Sequence, residues 1–466
     1  MQLGLIGLGT MGANLARNAA RNGAQVIVFN RTTEKTDAFM AAHGGEGDFI
    51  AAHTIDDFLK AFTGQKAIVL MVKAGEAVDE MIKELLEAGG SGLVANDIVI
   101  DAGNSHYHDT ERRTKELAEK GIHFVGMGVS GGEEGALLGP SMMPGGSKEA
   151  FEILKTLLES MSASDGANGK CVAYIGEGGS GHFVKMVHNG IEYGIMQLIA
   201  EAYDLLKRES SLTNDQLANV FAAWNQSDML QSFLIEITEK VLRKMDADTG
   251  KSLVDLIKDA AGQKGTGKWT TNAALDYGVA IPTITAAVDA RIISSAKAFR
   301  VEQSKSSPLS VQPHEDMADL IAQVRTALSL SVANAYAQGF QLLEAASKEH
   351  NWNLDMSEIA RIWRGGCIIR STLLQHYQKM FAGDPTAATF IRNKFSPDAQ
   401  LQWRLIVALG ALRGIPLPAM SASLSYFDAY RTERLPQNLI QAQRDFFGAH
   451  TFERMDKEGA FHSDWK

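Results

Sequence analysis

The segment LGLIGLGTMGANLARN, close to the start of the chain, restricts the possible folds more than any other. A short apolar run, Leu3–Ile6, leads into glycines at 7, 9 and 12 and then into a helical pattern. Strand, glycine loop and helix in that order form a dinucleotide-binding turn. Gly7 allows the tight turn, Gly9 lets a pyrophosphate approach the backbone, and Gly12 permits close helix–strand packing. The N–H groups and dipole of the helix start favour phosphate. A second apolar run, Gln25–Phe29, ends in FNRTTEK. An NAD site usually places Asp or Glu there for the ribose 2′-hydroxyl. Asn30, Arg31 and Thr32 instead suit a 2′-phosphate, so the expected cofactor is NADP.

The same alternation continues. Runs at Leu3–Ile6, Gln25–Phe29, Ala67–Val72, Asp97–Ile100, His123–Val125 and Val172–Ile175 read as strands, with helical patterns between them. Several are continuously apolar, as strands buried on both faces are. This predicts an α/β Rossmann-type doubly wound domain over residues 1–178. After GEGGSG (176–181) long helical patterns take over. A large all-α domain is expected over 179–434, followed by a tail at 435–466 with four Phe and one Trp. So aromatic a tail is expected to pack against something, such as another subunit.

The helix expected from about Ser180 to Arg208 is apolar on most sides, through Phe183, Val184, Met186, Val187, Ile191 and Ile195. Such a helix is normally buried. Yet Lys185, His188, Asn189, Glu192 and Tyr193 fall at i, i+3, i+4, i+7 and i+8, on one face. One reading is an interdomain polar seam with Lys185 paired to Glu192. The other is an acid–base pair whose pKa values burial has shifted, with His188 and Asn189 binding a polyol or carboxylate. Gly190 and Gly194 imply close approach by a helix or a ligand.

Other stretches bear on that choice. VSGGEEGA (129–136) follows a predicted strand, where Ser130 and the N–H groups of Gly131 and Gly132 suit a carboxylate. DAGNS (101–105) follows another and brings Asn104 to the same crevice. GQKGTGKW (262–269) lacks P-loop spacing, yet Lys264 and Thr266 suit a phosphate. The net charge of −10 argues against nucleic acid. The two cysteines, Cys171 and Cys367, form no disulfide framework, and Cys367 is expected to be buried. No metal-ligand pattern or membrane-length apolar run is present. With no basic leader before LGLIGL, the expectation is a soluble cytoplasmic protein.

Taken together, GLGTMG, FNRT, LMVKAGEAVD, DAGNS, VGMGVSGGEEGA, GHFVKMVHNGIEYG, AGQKGTGKWT, WRGGCIIRS and AQRDFFGAHT resemble the 6-phosphogluconate dehydrogenase family, decarboxylating NADP enzymes of the pentose phosphate pathway. The resemblance covers essentially the whole chain. It implies that Lys185 is the general base and Glu192 the acid. Asn104, Ser130, Gly131, Gly132, His188 and Asn189 would hold the sugar acid, and Tyr193, Lys264, Thr266 and Arg291 its phosphate. NADP would lie on Gly7, Leu8, Gly9, Thr10, Met11 and Gly12, on Asn30, Arg31 and Thr32, and on Val72, Lys73 and Ala74. Met11 would stand near the nicotinamide, with Asn104 adjoining. The family is homodimeric, and its C-terminal segment would carry Arg444 and His450 into the partner's site.

Two departures are visible. Ala102 stands where a second glycine is expected in DAGNS, and the chain ends soon after HSDW. The rival readings are a 3-hydroxyacid dehydrogenase acting on a small unphosphorylated acid and a non-catalytic NADP-binding scaffold. The first would not need Lys264, Arg291 and Arg444 together. The second would be expected to have lost Lys185 or Glu192.

Overall fold

The computed structural model describes residues 1–167, 169–305, 317–383 and 395–465. Its first half alternates strand and helix: β1 Gln2–Ile6, α1 Thr10–Arg21, β2 Gln25–Phe29, α2 Thr33–His43, β3 Phe49–Ala52, α3 Ile55–Lys60, β4 Ala67–Leu70, α4 Glu76–Glu87, β5 Ile98–Asp101, α5 Tyr107–Ala118, β6 His123–Val129, α6 Gly132–Leu138, β7 Met142–Gly146 and α7 Lys148–Met161. The sheet order is β3-β2-β1-β4-β5-β6-β7. All neighbours are parallel except β6 and β7, which are antiparallel. Strand order reverses between β1 and β4, and the ends of these strands open the ligand crevice of a doubly wound sheet.

The period-two alternation of each strand splits its apolar side chains between two cores. Leu3 and Leu5, Val26 and Val28, Ala67 and Val69 face one cluster. Ile6, Ile27, Phe29, Ile68 and Leu70 face the other.

The strand expected at Val172–Ile175 is a correction. It forms only a bridge, Met142 to Val172, and β7 takes the sheet edge beside β6. The run lies alongside β7: Ile175 N–H donates to Pro144 O at 2.9 Å, and Gly146 N–H to Gly176 O at 2.8 Å. The sequence of β7, MMPGG, has almost no strand propensity. Its Pro and Gly are admissible because it is an edge strand. β3 was also not expected.

The second half is helical: α8 Ser180–Glu209, α9 Asn214–Trp224, α10 Phe233–Arg243, α11 Leu253–Leu256, α12 Thr266–Asp276, α13 Pro282–Ser295, α14 Lys297–Ser304, α15 Met317–His350, α16 Met356–Ile362 and α17 Leu373–Gly383. Helices Pro397–Arg413, Pro418–Ala429 and Gln437–Gly448 follow, then a short hairpin pairing Phe452–Glu453 with Ala460–Phe461. The long helices α8 and α15 pack along one another inside a single large apolar cluster. The close approach that Gly190 and Gly194 imply is made by other helices. A Cβ on Gly190 would meet Thr270 of α12, and one on Gly194 would touch Ala335 of α15 and Ile284 of α13. Thr270 Oγ1 also donates to Met186 O of α8 at 3.0 Å. No helix among the described residues is long and apolar enough to cross a membrane.

Candidate active site

The first turns of α8 lie directly on the C-terminal half of β6, and glycines on both sides make this possible. A Cβ on Gly128 would overlap Cβ of Lys185, and one on Gly181 would overlap Gly126 O. The strand sequence FVGMGV and the helix start GHFVK are therefore complementary: small residues let backbones approach where a close-packed interior has no spare room. This contact places Lys185 next to the end of β6, where Ser130 begins the following loop.

A buried polar chain forms there. Ser130 Oγ lies 3.2 Å from His188 Nε2, and His188 Nδ1 lies 3.0 Å from Asn189 Oδ1 and 3.4 Å from Lys185 Nζ. Ser130, Lys185 and His188 are buried, and the Trp363 ring covers the imidazole edge-on at 5.6 Å. Burial pulls the Lys185 amine down to about 8, against the opposing pull of Glu192 and Cys367. Burial pushes the Glu192 carboxyl up, against the charges of Lys185 and Arg291. His188 is held well below its ordinary value by burial and then by the Lys185 charge, with Asn189 opposing. Among the described residues no ion pair joins Lys185 to Glu192, so the seam reading loses its expected contact. Cys367 is buried, and its Sγ–H donates to Trp363 O at 3.0 Å.

Gly131 and Gly132 both have positive φ, 108° and 64°, a region glycine enters at no steric cost. A Cβ on Gly131 would press on Gly366 O, whereas the space beside Gly132 is open. The open side of this loop faces outward at the start of α6.

At the far end of the stripe three helices meet. The Arg291 guanidinium of α13 sits 3.4 Å over the Tyr193 ring of α8 and donates to Gly262 O at 3.2 Å. A Cβ on Gly267 of α12 would press on that same ring, so Thr266 at the start of α12 is a near neighbour. Thr266 is buried and Lys264 exposed. Tyr193 and Arg291 thus form a cationic corner beside the start of α12.

Asn104 is exposed on a loop fixed from within by the buried Asp101. Gly103 N–H donates to Asp101 Oδ1 at 3.0 Å, and Ser105 Oγ to Asp101 Oδ2 at 2.6 Å. Ala102 is buried in the sheet cluster, its N–H donating to Leu70 O at 3.0 Å, so the departure from glycine leaves the loop anchored.

Sequence reasoning missed Arg113. Its side chain, 1% exposed, reaches Asp101 Oδ2 at 3.4 Å, both oxygens of Asp79, and Gly75 O at 3.0 Å. It therefore ties the Asn104 loop to the Val72–Ala74 loop. The run ERRTKE reads as a solvated helix face, and only the pairing of its second arginine with Asp101 of DAGNS would have signalled a buried role.

The glycine loop fits a dinucleotide. Gly7, at φ 103°, has no room for a Cβ against Met71 O, and Gly12 has none against Gly7 O. Nothing lies within 4 Å of a Cβ on Gly9, so the open side is where a pyrophosphate would approach. Asn30 Oδ1 accepts the Leu8 N–H at 3.0 Å, and so holds the loop. Arg31 is exposed and paired with Glu80 at 3.4 Å and Glu84 at 3.0 Å, both on α4. Thr32 occupies the N-cap position of α2 without a side-chain capping bond, Met11 is half-buried in the first turn of α1, and Lys73 is exposed beyond β4.

Arg444 and His450 lie apart from this group. Both are exposed. Arg444 donates to Gln441 Oε1 at 3.0 Å, and the His450 ring stands 6.0 Å from that of Phe447. These contacts are within the tail.

Comparison with known proteins agrees over the whole length. A family profile described as the NAD binding domain of 6-phosphogluconate dehydrogenase matches residues 2–176, and one described as 6-phosphogluconate dehydrogenase, C-terminal domain, matches 181–465. The chain is 53% identical over 474 residues to 6-phosphogluconate dehydrogenase, decarboxylating, from Synechococcus elongatus, covering 100% of this chain and 99% of that one. It is 50% identical over 471 residues to the NADP(+)-dependent, decarboxylating enzyme of Bacillus subtilis, with the same coverage. The solved structure of Plasmodium falciparum 6-phosphogluconate dehydrogenase, described in apo form and in complex with NADP+ and with 6-phosphogluconate, superposes with a TM-score of 0.93 at 42% identity, covering 100% of both chains. The chain belongs to the 6-phosphogluconate dehydrogenase family.

Proposed function

We infer that the chain oxidises 6-phospho-D-gluconate with NADP and decarboxylates it, giving D-ribulose 5-phosphate, CO2 and NADPH. The observation that carries the residue roles is the pair on α8, Lys185 buried and Glu192 half-buried: desolvation moves the Lys185 amine down and the Glu192 carboxyl up, each toward neutrality. Bound NADP supplies the hydride acceptor, and Gly7–Gly12, Asn30–Thr32 and Val72–Ala74 would hold it. Neutral Lys185 Nζ takes the C3 hydroxyl proton as the C3–H bond breaks. The product carries a carbonyl β to its carboxylate, so loss of CO2 sends the bonding electrons into that carbonyl, leaving an enol. The Lys185 ammonium stabilises the charge developing on its oxygen. Glu192 in its acid form protonates the carbon that carried the carboxylate, C2 of the substrate and C1 of the product, while the enol O–H proton returns to Lys185, completing the ketose.

Ser130, Gly131, Gly132, Asn104, His188 and Asn189 would orient the sugar acid, and Tyr193, Lys264, Thr266 and Arg291 its phosphate. We place Arg444 and His450 in the site of a second copy, in a homodimer. Support comes from Leu439, Ile440, Phe446, Phe447 and Met455, all exposed on the tail of a single chain, as a segment awaiting a partner would leave them. Two buried free thiols fit a cytosolic location. The test is NADPH absorbance with CO2 trapped in parallel. Equal yields are expected. NADPH without CO2 would instead indicate a simple hydroxyacid dehydrogenase.

A further inference from the structure

The tail must hold a shape without a hydrophobic core of its own. In the helix Gln437–Gly448 the single buried residue is an acid, Asp445. Its carboxylate collects four donors from across the tail. Oδ1 accepts the Thr451 N–H at 3.0 Å and lies 2.9 Å from His462 Nδ1. Oδ2 accepts the Ser463 N–H at 3.1 Å and Trp465 Nε1–H at 2.7 Å. Burial pushes this carboxyl up, and the His462, Trp465, Ser463 and Thr451 bonds outweigh it, holding the group at about 2.

What the hub holds is strained. Five non-glycine residues among those described have positive φ: Asn96, Asn351, Asn353, Ala449 at 49° and Thr451 at 60°. Asparagine tolerates this region, while alanine and the β-branched threonine do so only where surroundings enforce it. Those two flank His450. Asp445 pins both, accepting the Ala449 N–H through its backbone carbonyl at 2.9 Å and the Thr451 N–H through its side chain. Arg444 is the adjacent residue, and Gln441, which accepts from Arg444, donates to Thr451 O at 2.6 Å.

We propose that Asp445 is a positioning residue, whose carboxylate fixes the strained turn that presents Arg444 and His450 to the active site of a second copy of the chain. The proposal rests on the shared-site reading above. Asn is nearly isosteric with Asp, but whichever way its amide is turned, its NH2 faces at least one N–H that can only donate, Thr451 on one side or Ser463 and Trp465 on the other, so the hub is broken without loss of volume.

In purified Asp445→Asn, KM for 6-phosphogluconate is expected to rise at least about tenfold with kcat within about threefold, the pattern of lost binding rather than lost chemistry. NADP affinity and dimer mass are expected to stay unchanged. A wild-type KM would overturn the proposal. The stricter test pairs Asp445→Asn chains with Lys185→Met chains in heterodimers isolated through two tags. One site then combines an intact core with an intact partner tail, so roughly half the wild-type activity should return with a wild-type KM. The same heterodimer built with Arg444→Ala reports on the shared-site reading itself. If Arg444→Ala recovers and Asp445→Asn does not, sharing stands and the role of Asp445 is refuted. If neither recovers, the shared-site reading fails and takes the proposal with it. Should Asp445→Asn not fold, Trp465→Phe removes one donor and keeps an aromatic ring at that position. A smaller KM rise in the same direction is expected there, and a wild-type KM again overturns the proposal.

Discussion

Lys185 Nζ lies 3.4 Å from His188 Nδ1, one helical turn away, with both side chains buried. The two cannot be charged together at that distance without large cost, because little water is present to screen them. Burial and the Lys185 charge therefore keep the imidazole neutral. A neutral His188 accepts at one ring nitrogen and donates at the other. It thus links the amine on one side to Ser130 on the other, and the protonation state of Lys185 is felt at the residue that would grip the substrate.

Lys185 as the proposed base, with its amine brought down to about 8 by burial, gives the pH profile a definite sign. Below that value the amine is protonated and cannot accept the C3 proton, so kcat/KM is expected to fall about tenfold per pH unit on the acid side. In the proposed mechanism Glu192 acts in its acid form, which burial favours, so activity is expected to fall on the alkaline side as well and the profile to be bell-shaped. Glu192→Gln is expected to lower kcat by about a hundredfold or more while leaving NADP binding unchanged. A steady-state profile of both proteins checks this.

Gly128 has no catalytic group, yet Gly128→Ala is expected to impair catalysis. Its methyl would overlap Lys185 Cβ and push α8 off β6. Overpacking of this kind costs about 1–3 kcal/mol, which calorimetry would read as a lower Tm. The accompanying shift of Lys185 is expected to reduce kcat more than tenfold, since catalysis is sensitive to small misplacement. Gly132→Ala meets open space but requires φ near 64°, so strain, not collision, would be its defect.

Arg31 is expected to set cofactor choice. Arg31→Ala should raise KM for NADP by about tenfold or more, as loss of a charge-assisted phosphate contact would, and leave KM for NAD nearly unchanged. Glu84→Gln removes one of the two carboxylates that hold the guanidinium, so a modest gain in NADP affinity is expected. Titration with both cofactors measures each effect.

Much of this was legible because local rules suffice for it. The glycine loop, the apolar strands and the stripe on α8 follow from period and residue type. β7 was not legible, because MMPGG is strand-like only through its neighbours, and the run Val172–Ile175 that resembles a strand merely accompanies it. Arg113 and Asp445 were missed for a shared reason. Arg113 is a charged residue in a hydrophilic run and Asp445 one in an aromatic tail, the first buried by partners far away in sequence and the second by the folding of the tail. Sequence periodicity carries no trace of such pairings.

The most direct test of the central claim is single-turnover NADPH formation by Lys185→Met, with 6-phosphogluconate at saturation and NADP binding measured in the same sample. Methionine keeps the apolar stem and removes the amine. NADP should bind as in the wild type while the rate of reduction falls by about a thousandfold or more, as for loss of a general base. Near-normal reduction would contradict the account and return the polar face of α8 to a structural role.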